Sequence, residues 1–203
     1  MAQSDWDLDS GNLVLDFANT AEFHASDQPD EFLNSYADLV SWSEAAGILS
    51  KKEARTLLSK SRKEPKKAAK ALHNSLELRE LIFRIFSAIA GDEIPNREDL
   101  EEFNRILTWS LNNVRIIGDK DNFIWGWGDM GESFDSPLWP IAQQTANLLT
   151  SQDIYRVGEC QDDRGCGYLF IDTSRNHNRR WCSMETCGNR AKAQRHYKKI
   201  SRK

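Results

Sequence analysis

Between residues 32 and 148, apolar positions recur three or four residues apart, in runs that capping residues or glycines separate. This spacing places each run on one face of a helix. Start and stop signals agree: Ser50 and Glu53 have the spacing of a capping box, Pro65 suits a first helical turn, and Gly47 and Gly91 suit helix ends. The predicted helices carry the apolar sets within 32–46, 54–58, 69–89, 100–107 and 138–148.

Three shorter apolar runs have the length of strands. Residues 11–20 begin with a run that is too short for a buried helix and that turn formers bound, which predicts a short strand. Residues 114–117 and 123–127 flank a five-residue loop, and this arrangement predicts a β-hairpin. The first part of the chain is therefore predicted to be a mainly helical body with a short strand and one hairpin.

The C-terminal end contains all four cysteines of the chain, Cys160, Cys166, Cys182 and Cys187. Two close pairs joined by a strand-like run and a turn can supply four thiolates to one tetrahedral Zn²⁺ ion. Four thiolates fill the zinc shell, so such a site is structural and leaves no position for a substrate. Two disulfides, an iron–sulfur cluster and four unrelated buried thiols are the alternatives.

The residues around the cysteines predict a small hairpin and a helix. Residues 168–172 are rich in aromatic and branched side chains and predict a strand, and residues 179–181 predict its return strand after a turn. Good helix formers fill residues 189–203. The whole chain is thus predicted to be α+β, with a body at 1–152 and a small treble-clef-like zinc finger at 153–203.

The predicted C-terminal helix is amphipathic at 100° per residue. Its inward side is expected to carry Ala193, Tyr197 and Ile200, with Arg190 beside them. We therefore expect Arg190 to support the loops near the metal rather than to contact a phosphate. The other side of the helix is a basic stripe of Lys192, Arg195, Lys199 and Arg202.

The net charge of −4 conceals an opposition between the two ends of the chain. Residues 156–203 carry 12 Lys and Arg against 5 Asp and Glu, a net charge of +7, and the remaining residues carry −11. A basic segment on an acidic body is typical of proteins that bind a polyanion. A solvated basic tail is the alternative.

The composition is that of a globular protein, with 39% hydrophobic residues, seven Trp and nine Phe. No window approaches the 18 uncharged apolar residues that a membrane span needs. The first residues lack the basic and apolar regions of a signal peptide, so we expect a cytoplasmic protein.

Two sets of short motifs match those of a known family. One set comprises Cys160, Cys166 and residues 170–176, 179–184 and 187–192, and the other comprises residues 15–20, 36–42 and 46–47. The first set resembles the CGNR zinc finger of bacterial transcription regulators, and the second resembles the ABATE domain usually paired with it. The resemblance implies zinc, DNA binding and a role in stress responses. Trp181 and Asn189, both within the motif, are expected to be structural residues near the metal.

These features favour duplex DNA as the partner. They indicate a transcription regulator that binds DNA through contacts with its phosphates. The alternative is a zinc-stabilised protein-interaction or RNA-binding module with a ligand-sensing body. A small-molecule effector of the body and a homodimer are further expectations. The residues expected to contact DNA are Arg175, Arg179, Arg180, Lys192, Arg195 and Lys199.

We predict that the protein is not an enzyme. The sequence has no glycine-rich phosphate loop, nucleophile elbow or histidine–carboxylate metal motif. In the enzyme alternative, Asp16, Asn19, His24 and residues 125–128 would line a pocket in the body. His177 or His196 would serve a nuclease site in the zinc finger.

Overall fold

The computed structural model describes residues 6–118 and 122–200, apart from the side chains of residues 195, 196 and 198–200. In this part of the chain, helices dominate and three antiparallel sheets have two strands each, which confirms the predicted α+β class. The helices are α1 Leu13–Ala18, α2 Tyr36–Ala45, α3 Lys51–Lys63, α4 Pro65–Ala90, α5 Arg97–Leu111, α6 Leu138–Leu149 and α7 Asn189–Ile200. The strand pairs are β1 Ala21–Glu22 with β2 Asp30–Glu31, β3 Val114–Gly118 with β4 Phe123–Trp127, and β5 Val157–Glu159 with β6 Leu169–Ile171.

Capping residues define the body helices as their spacing predicts. The Glu53 amide donates to the Ser50 hydroxyl, and the Ser50 amide donates to the Glu53 carboxylate at 2.7 Å, so the capping box of α3 is confirmed. Gly47 follows α2 with a φ of +74°, the left-handed conformation that glycine adopts at helix ends. Helix α2 begins later than its apolar pattern indicates, because Ser35 caps it and leaves Phe32 in the preceding loop.

The predicted strand at residues 11–20 is wrong, because this segment forms α1. Asn12 caps the helix by accepting a hydrogen bond from the Val14 amide at 2.9 Å. Residues 14–18, including Asp16, are all buried, so α1 has no polar face toward solvent and lacks the periodicity of a surface helix. A short, fully buried helix and a buried strand give the same sequence pattern.

Helix α4 is the centre of the helical body. It packs against α1, α2, α3, α5 and α6, and it also contacts β5. The same hydrophobic core extends into the C-terminal sheet, where Val157, Leu169 and Ile171 are buried with the body residues. The C-terminal segment is therefore fixed on the body.

Among the described helices, none is both long and apolar enough to cross a bilayer.

Strand β6 is hydrogen-bonded along both edges. On one edge it pairs with β5, so that Ile171 lies opposite Val157. On the other edge the Ile171 amide donates to the Ser10 carbonyl at 2.8 Å, and the side-chain amide of Asn19 bonds both the amide and the carbonyl of Leu169 at 2.9 and 2.8 Å. The predicted return strand at 179–181 is wrong, because β5 and the body leave no free edge on β6.

Candidate metal centre

The four cysteine sulfurs form one cluster, in which all of them lie within 4.8 Å of one another. The Cys166 and Cys182 sulfurs are 3.8 Å apart and those of Cys182 and Cys187 are 3.5 Å apart. Four sulfurs at about 2.3 Å from a zinc ion form a tetrahedron with edges of about 3.8 Å. The cysteines are free thiols, and all except the half-buried Cys182 are buried. The arrangement therefore fits a closed Zn²⁺ site of four thiolates.

The electrostatics of the cluster also favour a cation. Burial raises the pKa of the Cys187 thiol, and repulsion from a charged Cys160 raises it further. Four thiols in this position cannot all ionise without a positive charge among them. A divalent cation supplies that charge and deprotonates coordinating thiols. Four soft sulfur donors suit zinc better than the oxygen-seeking Mg²⁺ or Ca²⁺.

The first cysteine loop rests directly on the body. Cys160 follows β5, and its amide donates to the Tyr168 carbonyl at 2.9 Å. On either side of Cys166, Gly165 and Gly167 have φ of +78° and +65°, and a side chain at Gly167 would meet the backbone nitrogen of Ala25 at 2.7 Å. Glycine is thus required for conformation and for space. This close approach places one ligand loop in contact with the loop between β1 and β2.

The second pair, Cys182 and Cys187, lies in the segment that leads into α7. A single π-helical turn, Met184–Gly188, carries Cys187 and leads into the helix, and Ser183 caps it by accepting from the Glu185 amide at 3.1 Å. Asn189 donates from its side chain to the Glu185 carbonyl at 3.2 Å, which closes the same turn. Trp181 packs against the cysteine cluster as a partly buried side chain.

Arg190 lies against the metal cluster. Its guanidinium donates to the Asp162 carboxylate at 2.7 Å and lies 3.7 Å from the Cys187 sulfur. Burial alone would raise the pKa of Asp162, but hydrogen bonds from the Arg164 amide and from Arg190 lower it. The buried Asp162, two positions after Cys160, has no distinguishing signal in the sequence. This geometry suits a role for Arg190 in balancing the negative charge of the cysteines and Asp162.

Replacing Arg190 with Met is expected to reduce the free energy of unfolding by about 2 kcal/mol, because the buried Asp162 carboxylate would lose its 2.7 Å ion pair and keep only longer contacts with Arg164. The matched change Lys192→Met, on an exposed side chain of the same helix, should alter stability by less than about 0.5 kcal/mol. Urea unfolding of both zinc-loaded variants measures the difference. Equal losses of stability would show that Arg190 has no special structural role.

The segment after β6 folds around the buried carboxylate of Asp172. Its two oxygens accept hydrogen bonds from the Ser174 and Arg179 amides, both at 2.8 Å. The Arg179 guanidinium lies 4.1 Å from the centre of the Phe170 ring and donates to the carbonyls of Trp181 and Cys182. These contacts hold the Arg179 guanidinium against the finger itself, whereas Arg179 is one of the residues expected to contact DNA.

The other residues expected to contact DNA differ in what the structure shows of them. Arg175 is exposed in the loop that Asp172 organises, and Lys192 is exposed on α7. Arg180 is also exposed, and its side chain donates to Gln161 at 2.8 Å. The side chains of Arg195 and Lys199 lie outside the described residues.

The expected inward side of α7 is wrong for Ala193 and Tyr197, which are both exposed. The helix has its main contacts with the Met184–Gly188 turn before it. Helical periodicity predicts which residues share a face of α7, but it does not show whether another element packs against that face. The third residue of that expected side, Ile200, lies outside the described side chains.

The body residues of the enzyme alternative have structural partners. The Asp16 carboxylate accepts from the Ser10 amide at 2.9 Å, and Asn19 is bonded to β6. The His24 ring stacks on Phe83 and lies 2.9 Å from the Glu80 carboxylate. In the finger, a His177 ring nitrogen lies 3.2 Å from the Asp172 carbonyl, and the His196 side chain is outside the described residues.

Two family models match the chain. One matches residues 11–152 and is called ABATE, with the description "Putative stress-induced transcription regulator". The other is the CGNR zinc finger, which matches residues 156–199 and includes the four gathered cysteines. Neither is an enzyme family, and no curated protein matches the chain. Because the first model covers more than half of its length, the chain belongs to the ABATE family, and it carries a zinc-binding CGNR finger.

Proposed function

We propose that this protein regulates transcription by binding duplex DNA through exposed cations of its zinc finger. The observation that carries the proposal is the exposure of Arg175, Arg180 and Lys192 on a scaffold that four cysteines and one metal ion can hold rigid. Phosphate groups are the ligands that such cations bind in DNA. The family description and the net charge of +7 over residues 156–203 support the same partner.

The exposed loop after β6 supplies the first phosphate contact in this proposal. Arg175 is three residues after Asp172, whose carboxylate fixes the backbone on both sides of the loop through Ser174 and Arg179. A cation on a pre-ordered loop loses less conformational entropy on binding than one on a free tail. Arg179 is assigned to the scaffold, because its guanidinium already bonds two carbonyls and covers Phe170.

Helix α7 supplies the second group of contacts. Lys192 is exposed at its start, and Arg195 and Lys199 follow at helical spacing. The acidic remainder of the chain, with its net charge of −11, repels phosphate and so restricts DNA to the finger. We accordingly divide the chain into a body at 1–152, which would bind a small-molecule effector, and a DNA-binding finger at 153–203.

Replacing Arg175, Arg180 and Lys192 with Gln together should lower affinity for duplex DNA by about 30-fold or more at low salt. The slope of log affinity against log salt should decrease in magnitude by roughly 0.9 for each phosphate that the variant no longer neutralises. Fluorescence anisotropy with a labelled random duplex, repeated over a salt series on zinc-loaded protein, measures both quantities. Unchanged zinc content and circular dichroism would confirm that the finger is intact.

The matched control removes the same charges from the body. Arg55, Arg62 and Lys66 are exposed on α3 and α4, and changing all three to Gln should leave DNA affinity within about twofold. An equal loss in the control would mean that net charge, and not the finger surface, determines binding. Salt-independent binding, or tighter binding to single-stranded RNA than to duplex DNA, would contradict the proposal and favour the alternative module.

A further inference from the structure

Arg180 is exposed to solvent, yet three contacts within the finger restrain it. Its backbone carbonyl accepts a hydrogen bond from the Gln161 amide at 2.9 Å. Its side-chain Nε donates to the side-chain oxygen of Gln161 at 2.8 Å. Its guanidinium carbon lies 5.3 Å from the centre of the Trp181 ring, within the range of a cation–π contact. The direction of this side chain is therefore set before any ligand arrives.

The cysteine cluster fixes the backbone on both sides of this arrangement. Gln161 directly follows Cys160, and Arg180 precedes Cys182 by two positions. Trp181, between Arg180 and Cys182, packs partly buried against the cysteine cluster. The four gathered cysteines thus determine the point from which the Arg180 side chain extends.

The contacts leave the outer edge of the Arg180 guanidinium open. Gln161 occupies Nε, whereas neither Nη nitrogen donates to an acceptor among the atoms that the structure describes. Two N–H donors on a planar, oriented group match a pair of neighbouring acceptors. A phosphate offers such a pair, and so do O6 and N7 of guanine.

We propose that Arg180 recognises a guanine base in the major groove of duplex DNA, and that Gln161 is the residue that positions it. The inference rests on the proposed DNA binding and adds a determinant of sequence to it. In the major groove, guanine presents O6 and N7 side by side, and the bidentate contact from arginine is the commonest specific one.

The support of Arg180 favours a base over a phosphate as its ligand. Phosphates lie along the whole duplex, so a cation on a mobile side chain can reach one. A base edge presents its two acceptors in one orientation, and a side chain that is already ordered loses less entropy in meeting them. Arg175 has the same chemistry and is exposed, but no side-chain contact among the described residues holds it. We assign Arg175 to a phosphate and Arg180 to a base.

The first measurement is binding-site selection from random duplex DNA with the zinc-loaded full-length protein. The wild type should select guanine at one position or more, with a preference of about fivefold or more over the other bases. Arg180→Gln should lose the preference at one of these positions. Arg175→Gln is the matched control, and it should keep the preference while its affinity for all sequences falls alike.

Two variants of Gln161 separate positioning from a structural role. Gln161→Met removes the acceptor for Nε at a similar side-chain size. It should reduce the guanine preference by about threefold or more, because the arginine must then be ordered on binding. Gln161→Glu keeps an acceptor and should retain the preference, although its charge lowers affinity for every duplex. Fluorescence anisotropy with the selected site and its single-base variants measures these ratios, and equal zinc content confirms that the finger is intact.

A modified base tests the contact itself. 7-Deazaguanine lacks the N7 acceptor, and it replaces guanine at the position that Arg180→Gln identifies. The affinity of the wild type should then fall by about threefold or more, because one hydrogen bond to a charged donor is lost. The affinity of Arg180→Gln should not change.

Three results would overturn the inference. Arg180→Gln that binds every sequence more weakly but keeps the guanine preference would assign Arg180 to a phosphate. A wild type that binds 7-deazaguanine as tightly as guanine would have the same meaning. Salt-dependent binding without any base preference would overturn this inference alone, whereas an absence of binding to any duplex would overturn the proposed function as well.

Discussion

Removal of zinc is expected to unfold the finger and to lower the thermal midpoint of the whole chain by at least about 10 °C. Zinc sites of this type contribute on the order of 10 kcal/mol to folding in isolated fingers. One kcal/mol corresponds to roughly 2–4 °C in a chain of this size. The body should share the loss, because Leu169 and Ile171 between the two cysteine pairs are buried in its core.

Hydrogen exchange and thermal unfolding before and after chelation provide the measurement. Amides of residues 160–188 should lose protection first, followed by those of α1, which contacts β6. Chelator saturated with zinc beforehand is the control, and Cys187→Ser should reproduce the effect of chelation. Protection that stays unchanged in the finger would show that the cysteines fold it without a metal.

Replacing Asn19 with Ala is expected to reduce the free energy of unfolding by about 4 kcal/mol, because two buried polar groups of Leu169 would be left without partners. Leu169 is completely buried, so water cannot replace the bonds of 2.8 and 2.9 Å that the Asn19 side chain makes. The affinity for zinc should also fall, because β6 connects the two cysteine pairs. Urea unfolding and competition with a zinc chelator measure these two effects.

The control is Asn104→Ala, at an exposed position of α5, which should change stability by less than about 0.5 kcal/mol. Asn19→Asp keeps the acceptor for the Leu169 amide but removes the donor to its carbonyl, and it places a charge in a buried site. It should therefore be at least as destabilising as Ala. If both Asn19 variants unfold like the wild type, the connection between α1 and β6 has no energetic importance.

The helices of the body were predictable because local signals and helical spacing agree. The capping box at Ser50 and Glu53 and the glycine after α2 act within a few residues, so one segment contains the whole signal. The first helix was not predictable from spacing, because a helix buried on all sides has no polar face to mark its period. Its cap at Asn12 was the available signal.

The cysteine cluster was predictable from spacing, whereas its supports were not. Pairs of cysteines with a strand between them indicate a metal site whatever surrounds them. Asn19 and Leu169, in contrast, are 150 positions apart, and no local pattern links them. The partner of β6 was mistaken for the same reason, because the sequence does not show that Ser10 occupies one of its edges.

The sequence alone does not distinguish an arginine that is exposed to solvent from one that supports the fold. Arg179, Arg180 and Arg190 belong to one motif and have the same chemistry. In the structure, Arg179 covers an aromatic ring, Arg190 pairs with the buried Asp162, and Arg180 is exposed. Which arginine faces solvent depends on acceptors contributed by distant segments, and the spacing of charges does not encode these.

The position of β6 between two distant segments has a consequence for how the chain is made. One edge of β6 meets residues 10 and 19, and the other meets β5. During synthesis, the N-terminal segment emerges first, but its partner strand follows about 150 positions later. The body is therefore expected to remain incompletely closed on the ribosome until residue 171 has emerged, and to close as the finger takes up its metal.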